Sequence, residues 1–186
     1  MVPTIYVAGG TCDVELISGY IAQLKKDGWT ISHDWTEQVL RDRRLGRGAK
    51  TLPPEAKAIL AESDMDGVKD AAYFWLIAPP EQRAWGAGVE LGAAIMGGKR
   101  ITVSGEHSSI FCDHPQVNRM RTHDEAASMF HHIARHIRSG HYAESSRKEF
   151  ESILAKRAVP ADKECRRCRQ YTTTTYCSSK CARGET

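Results

Sequence analysis

Along the first 140 residues the apolar positions switch repeatedly between a two-residue and a helical period. "TIYVA" (Thr4 to Ala8) is β-branched and aromatic and runs into Gly9 and Gly10, which predicts a buried first strand ending in a tight turn. Val14, Ile17, Ile21 and Leu24 then recur at helical spacing, with Asp13 as N-cap and Gly28 as the stop. "WTISHDW" predicts a second strand, with His33 and Asp34 just past its end. The basic, glycine-containing stretch 36 to 54 predicts a mobile loop, followed by a helix from Pro54 to about Val68. "AAYFWLIAP" (Ala71 to Pro79) is the most apolar strand, and a helix from about Gly86 to Met96 follows, capped by Gly97 and Gly98. "RITVSG" predicts strand four and "HPQVNRMRT" a short edge strand. "HDEAASMFHHIARHIRSG" predicts a capped amphipathic helix ending at Gly140.

Strands alternating with helices predict a parallel, doubly wound sheet, in which ligands bind at the carboxyl ends of the strands where the strand order reverses. The loops Gly9–Asp13, His33–Trp35, Pro79–Gly88 and Ser104–Ser109 lie at those ends. With 186 residues and 41% hydrophobic content, the chain supports one α/β domain and a small appendage. A net charge of +3 suits an anionic small ligand without requiring nucleic acid. The first residues lack the basic and apolar regions of a secretory signal, and no apolar run is long enough to span a bilayer. These readings predict a cytoplasmic protein with no membrane contact, whose cysteines are thiols or metal ligands.

Four of the six cysteines crowd into the tail, as "CRRC" (Cys165, Cys168) and "CSSKC" (Cys177, Cys181), after a helical linker at 141 to 160 closed by Pro160. Two thiolate pairs across a short arm predict a closed, structural Zn2+ site in a tail spanning 161 to 186. Arg166, Arg167, Arg169, Lys180 and Arg183 suit phosphates, but so small a finger equally suits docking on its own enzyme domain or on a partner protein. His132 and His136 stand four apart on the last helix without an acid at ligand spacing, which argues against a metal there.

In "WGAGVELGAAIMGGKR", Glu90 is the lone acid near a predicted helix start. Gly86 and Gly88 there leave the backbone open to a ligand, and unpaired N–H groups favour negative charge. Capping or dipole stabilisation explains an acid at such a position as well as catalysis does. Asp64 lies in "ESDMDGVKD", where Glu62, Asp66 and Asp70 also fit a solvated acidic face; spacing alone does not single it out. Two carboxylates around one pocket are what glycosyl transfer requires, one at the sugar C1 and one handling protons. Trp35 suits either stacking on a nucleobase or covering the core rim, Asp34 either a ligand contact or a helix N-cap. Arg41, Arg43, Arg44, Arg47 and Lys50 suit either a phosphate clamp or a solvated face.

"IYVAGG", "HDWT" and the segment from Asp64 through "AAYFWLIAP", Gly86, Gly88 and "VELGAA" together resemble the nucleoside 2-deoxyribosyltransferase superfamily, which includes the 2'-deoxynucleoside 5'-phosphate N-hydrolases. The resemblance runs over roughly residues 4 to 138, since "IFCDHPQVNRMRTHDEA" looks like the family's last strand and helix. It implies a flavodoxin-like doubly wound sheet of about five strands, order 2-1-3-4-5, in a domain covering 1 to 140, and a homo-oligomer. It implies Glu90 as the nucleophile that expels the base, Asp64 as the acid assisting its departure, and Tyr6 as the hydroxyl holding the glutamate. Gly9, Gly10, Asp34, Trp35, Gly86 and Gly88 are expected around a nucleoside or nucleotide substrate, with no cofactor for the chemistry. Two positions depart from the family pattern: Ala84, where transferases carry a polar or acidic residue, and Ala72, where an acid is usual. Two other readings stand beside this one. The first is a nucleotide-binding module with degraded catalysis, favoured by Ala84; the second is a nucleic-acid-associated factor acting through the zinc tail.

Overall fold

The computed structural model describes residues 3–48, 51–78, 85–106 and 109–139. The linker expected at 141 to 160 and the four-cysteine tail at 161 to 186 therefore lie outside the described residues, as do Lys50 and Ala84.

Five parallel strands form one sheet in the order β2-β1-β3-β4-β5: β1 Thr4–Gly9, β2 Thr30–Ile31, β3 Tyr73–Ile77, β4 Arg100–Ser104 and β5 Val117–Met120. The helices are α1 Val14–Lys26, α2 Trp35–Arg44, α3 Pro54–Asp70, α4 Trp85–Met96 and α5 His123–Arg138. Every residue of β3 is buried, as the central strand of a sheet covered on both faces requires. Trp75 packs against Tyr20 of α1 and Phe130 of α5, whereas Tyr6 stacks on Phe74 and touches α3 and α4. Alternation along β1 and β3 thus sends successive side chains to two different layers.

Local chemistry accounts for several boundaries. Gly28 adopts φ 87° where α1 ends, a conformation that costs glycine no Cβ clash. Thr122 and Glu125 close a reciprocal capping box at the start of α5, whose helical residues end at Arg138. Asp13 stands at the α1 N-cap, but its carboxylate makes no capping bond and accepts from the Cys12 thiol at 3.1 Å instead.

Three boundaries differ from the sequence reading. β2 contains only Thr30 and Ile31; beyond it Ser32 N–H still donates to the Ile5 carbonyl. The stretch expected as a mobile loop from 36 to 54 begins with α2, whose buried residues Trp35, Thr36 and Asp42 are hidden in sequence by their charged neighbours. α3 runs two residues past Val68, to Asp70. Among the described residues no helix is long and apolar enough to cross a membrane.

Candidate active site

The site is assembled from four elements. Tyr6 is the third residue of β1 and is fully buried, and its hydroxyl donates to Glu90 Oε1 at 2.9 Å. Asp64, on α3, lies close enough to Tyr6 for each to shift the other's ionisation through hydrogen bonding. On the far side of Asp64 stands His33, its Nε2 3.4 Å from Asp64 Oδ1. Glu90, Tyr6, Asp64 and His33 therefore form one chain of polar groups, in which the His33 and Asp64 side chains are each 32% exposed.

α3 approaches β1 this closely because residue 67 has no side chain. A Cβ at Gly67 would fall 2.5 Å from His33 Cβ and 2.8 Å from Tyr6 Cε2, so any larger residue would push α3 away from both. Asp64 lies one helical turn before this glycine and is carried in with it. A glycine inside an otherwise regular helical pattern, "MDGVKD", is the sequence signal for such a contact.

Electrostatics follow from the burial. Burial pushes the Glu90 carboxyl up to about 7; the Tyr6 hydrogen bond opposes this, and the nearby Asp64 charge adds to it. Asp64 is also raised by burial, against the pull of His33 and of the Tyr6 hydroxyl. Burial, followed by the charges of Glu90 and Asp64, drives the Tyr6 hydroxyl far above the ordinary phenol range, so it stays a donor. Neighbouring carboxyls disfavour each other's charge, and the Asp64 charge accordingly adds to the rise of Glu90.

Glu90 does not owe its properties to a helix terminus. It is the sixth residue of α4, beyond the turn that carries the unpaired N–H groups, and its carboxyl is raised where a helix dipole would lower it.

The remaining expected site residues divide. Gly9 ends β1 with Ile17 Cδ1 2.5 Å and the Ile77 carbonyl 3.1 Å from where a Cβ would sit, so a side chain there would displace the tip of Ile17 and crowd that carbonyl. Gly10 is buried, and its carbonyl accepts from Asp13 N–H at 3.0 Å in a 3-10 turn, Thr11–Asp13. Gly86 and Gly88 are exposed with nothing within 4 Å of an added Cβ, so among the described residues no packing contact requires glycine there.

Trp35 and Asp34 are engaged elsewhere. Trp35 is only 9% exposed and its indole N–H donates to the Val7 carbonyl at 2.8 Å. Because β2 stops at Ile31, this β1 carbonyl has no strand partner on that edge, and the indole supplies the missing donor. Of the two roles weighed for Trp35, this is the core-rim one. The Asp34 carboxylate accepts from Lys25 at 2.7 Å and from the Thr36 hydroxyl at 2.5 Å, so it ties α1 to α2 and is not a free ligand contact.

Of the basic residues, Arg43 is committed to Glu15 at 2.7 Å and to the Thr11 carbonyl at 2.5 Å. On α5, His132 and His136 are exposed, and His131 pairs with Asp27 at 2.9 Å. Among the described residues no group of three or more His, Cys, Asp or Glu is arranged to hold a metal ion.

Fold and site together define a doubly wound parallel α/β protein with a carboxyl–phenol–carboxyl cluster between its sheet and one helical layer. Comparison with protein-family models and with curated proteins finds no match for this chain.

Proposed function

We propose that this chain is an enzyme of the nucleoside 2-deoxyribosyltransferase type, cleaving or transferring at the N-glycosidic bond of a (deoxy)nucleoside or nucleoside 5'-monophosphate. The observation that carries the reading is the 2.9 Å hydrogen bond from the buried Tyr6 to Glu90, with Asp64 at the same hydroxyl. Glu90, once ionised, attacks the anomeric carbon; the C1'–N bond breaks and the base leaves with a proton supplied through Asp64. Water or a second base then resolves the glycosyl ester and returns Glu90 as a carboxylate. The Tyr6 O–H holds one Glu90 oxygen and steadies its charge until attack.

The rest of the proposal covers surroundings: a cytoplasmic homo-oligomer whose Cys165, Cys168, Cys177 and Cys181 bind a structural Zn2+, with nucleic acid or protein as the tail's partner. A nucleotide-binding module with lost catalysis is the second reading. Its support is Ala84 together with the raised Glu90 carboxyl, since a carboxyl near 7 is a half-neutral nucleophile at neutral pH.

Incubating the purified full chain with a panel of deoxynucleosides and their monophosphates, and following free base by chromatography, tests this directly. Release is expected from at least one substrate, with a loss of about 10³-fold or more in Glu90→Ala. No release from any of them, together with thermal stabilisation by nucleotides, establishes the binding module instead.

A further inference from the structure

α4 departs from the pattern of the other helices described. α1, α2, α3 and α5 each carry three or more charged side chains, as helices facing water do. α4 carries only Glu90, and that carboxylate is tied inward to Tyr6. At about 100° per residue the buried Ala87, Leu91 and Ala94 share one side of the helix. Trp85, Val89, Gly92 and Met96 fall within about 60° of one another on the opposite side. Trp85 is 88% exposed, Val89 63% and Met96 87%, and an added Cβ at Gly88 or Gly92 would meet nothing within 4 Å. Ile59 on α3, which packs beside α4, is 63% exposed as well. Tryptophan and methionine with charge excluded is the composition of the buried centre of an interface, not of a surface in water. Glycine weakens a helix interior relative to alanine, and no contact within the described residues accounts for Gly88 or Gly92.

We propose that this face of α4 joins two copies of the chain about a two-fold axis, with one α4 antiparallel to the other. A second copy is selected because the stripe is complementary to itself. With the axis passing between Glu90 and Leu91, Trp85 of one copy meets Met96 of the other, and Val89 meets Gly92, twice over by symmetry. Val89 thereby fills the open space at Gly92, and Gly88 opposite Ala93 lets the two backbones approach to roughly 8 Å. A crossing of about 20° keeps both Trp85–Met96 ends in contact. The uncharged stripe offers nothing to a charged partner such as nucleic acid, and a net charge of +3 is too small to hold copies apart. Glu90 lies on the inner side of the same helix, so the contact steadies the element that positions it. The dimer stands apart from the reaction proposed above and gives the expected homo-oligomer its contact face.

The test is analytical sedimentation of the full chain from low to high micromolar concentration, with circular dichroism confirming that each variant is folded. Wild type is expected to sediment as a dimer. Trp85→Glu and Met96→Lys, both at exposed positions, are each expected to weaken the dimer by about 30-fold or more. Mixing the two variants is expected to restore it. In the mixed pair the introduced carboxylate faces the introduced ammonium at one end, and Met96 still meets Trp85 at the other. Ile110→Glu, at a residue 77% exposed but outside α4, is expected to leave the dimer intact. A wild-type chain that stays monomeric over the whole range overturns the proposal and leaves the face to a different partner. A dimer that survives both α4 variants, or is lost only in Ile110→Glu, places the contact elsewhere and overturns it too. Single variants that dissociate without recovery on mixing overturn the two-fold register. Base release enters none of these readings, so a chain that releases no base still decides the question.

Discussion

The two faces of the sheet carry polar groups in opposite ways. Against α1 and α5, Trp29, Tyr73, Trp75 and Phe130 meet edge to face or tilted with centroids 5.1 to 6.3 Å apart. In that layer Trp29 N–H donates to the Phe130 carbonyl, Arg100 donates to the Tyr73 hydroxyl at the rim, and Trp75 N–H donates to Ser104 Oγ, which in turn meets His123 Nδ1 at 2.8 Å. Burial lowers His123, so it stays neutral beside Ser104 more readily than a free imidazole. Against α3 and α4 the layer is thin. α3 buries only Gly67 and Val68, α4 only Ala87, Leu91 and Ala94, and the partners of Tyr6 are two acids. One face uses hydrogen bonds to complete a core. The other keeps ionisable groups partly dehydrated, which raises their affinity for protons at the expense of stability.

That contrast can be broken at its strongest point first. Phe130→Ala removes a fully buried ring from the aromatic layer and is expected to destabilise the protein by about 3–5 kcal/mol in denaturant unfolding. Folded molecules of this variant should keep their base release, and a stability loss below ~1 kcal/mol would mean the layer is not the principal core.

Glu90→Gln sharpens the other side. The folded-state value near 7 exceeds the ordinary 4.5, so the folded protein favours protonated Glu90. That contribution is complete below about pH 4.5 and is lost as pH rises through about 7. The glutamine keeps an acceptor for Tyr6 and never ionises. It is expected to be more stable than wild type by about 3 kcal/mol at pH 8, with the gain vanishing at about pH 4. Thermal or denaturant unfolding at both pH values reads this without any substrate. A variant no more stable at about pH 8 would show that Glu90 is not a strained carboxylate.

The smallest expected effect is that of Gly67→Ala. One methyl group forced against His33 and Tyr6 is expected to cost about 1–3 kcal/mol and to lower base release by withdrawing Asp64. Unchanged stability and activity would show that α3 can shift without harm, and that the close approach is incidental.

How much of this is legible in the sequence depends on how local each feature is. The five strands, α1, α3, α4 and α5 are all readable from apolar period and turn residues, because those signals act over a few neighbours. α2 is not, since seven of its ten residues are polar or charged and its buried face shows only after folding. The resemblance directs attention to Glu90, Asp64 and Tyr6, whose relative positions the structure then specifies. Nothing in the pattern identifies His33 as the partner of Asp64 or assigns Gly67 a contact, although the helix-interior glycine is visible. Trp35 and Asp34 keep two roles open in the sequence for the same reason: whether a side chain faces a ligand or a backbone carbonyl depends on what folds over it.

The sequence by itself determined the elements other than α2 and the doubly wound parallel class, because periodicity and turn chemistry are properties of adjacent residues. Spacing could not choose among Glu62, Asp64, Asp66 and Asp70; the tertiary structure brings Asp64, the acid that the resemblance implied, toward Tyr6 and sets His33 3.4 Å from it. Tyr6 and Glu90 lie 84 residues apart, and their ionisation depends on water being excluded by elements brought together across that separation. Burial is a property of the assembled chain, and the chemistry proposed for this site follows from burial.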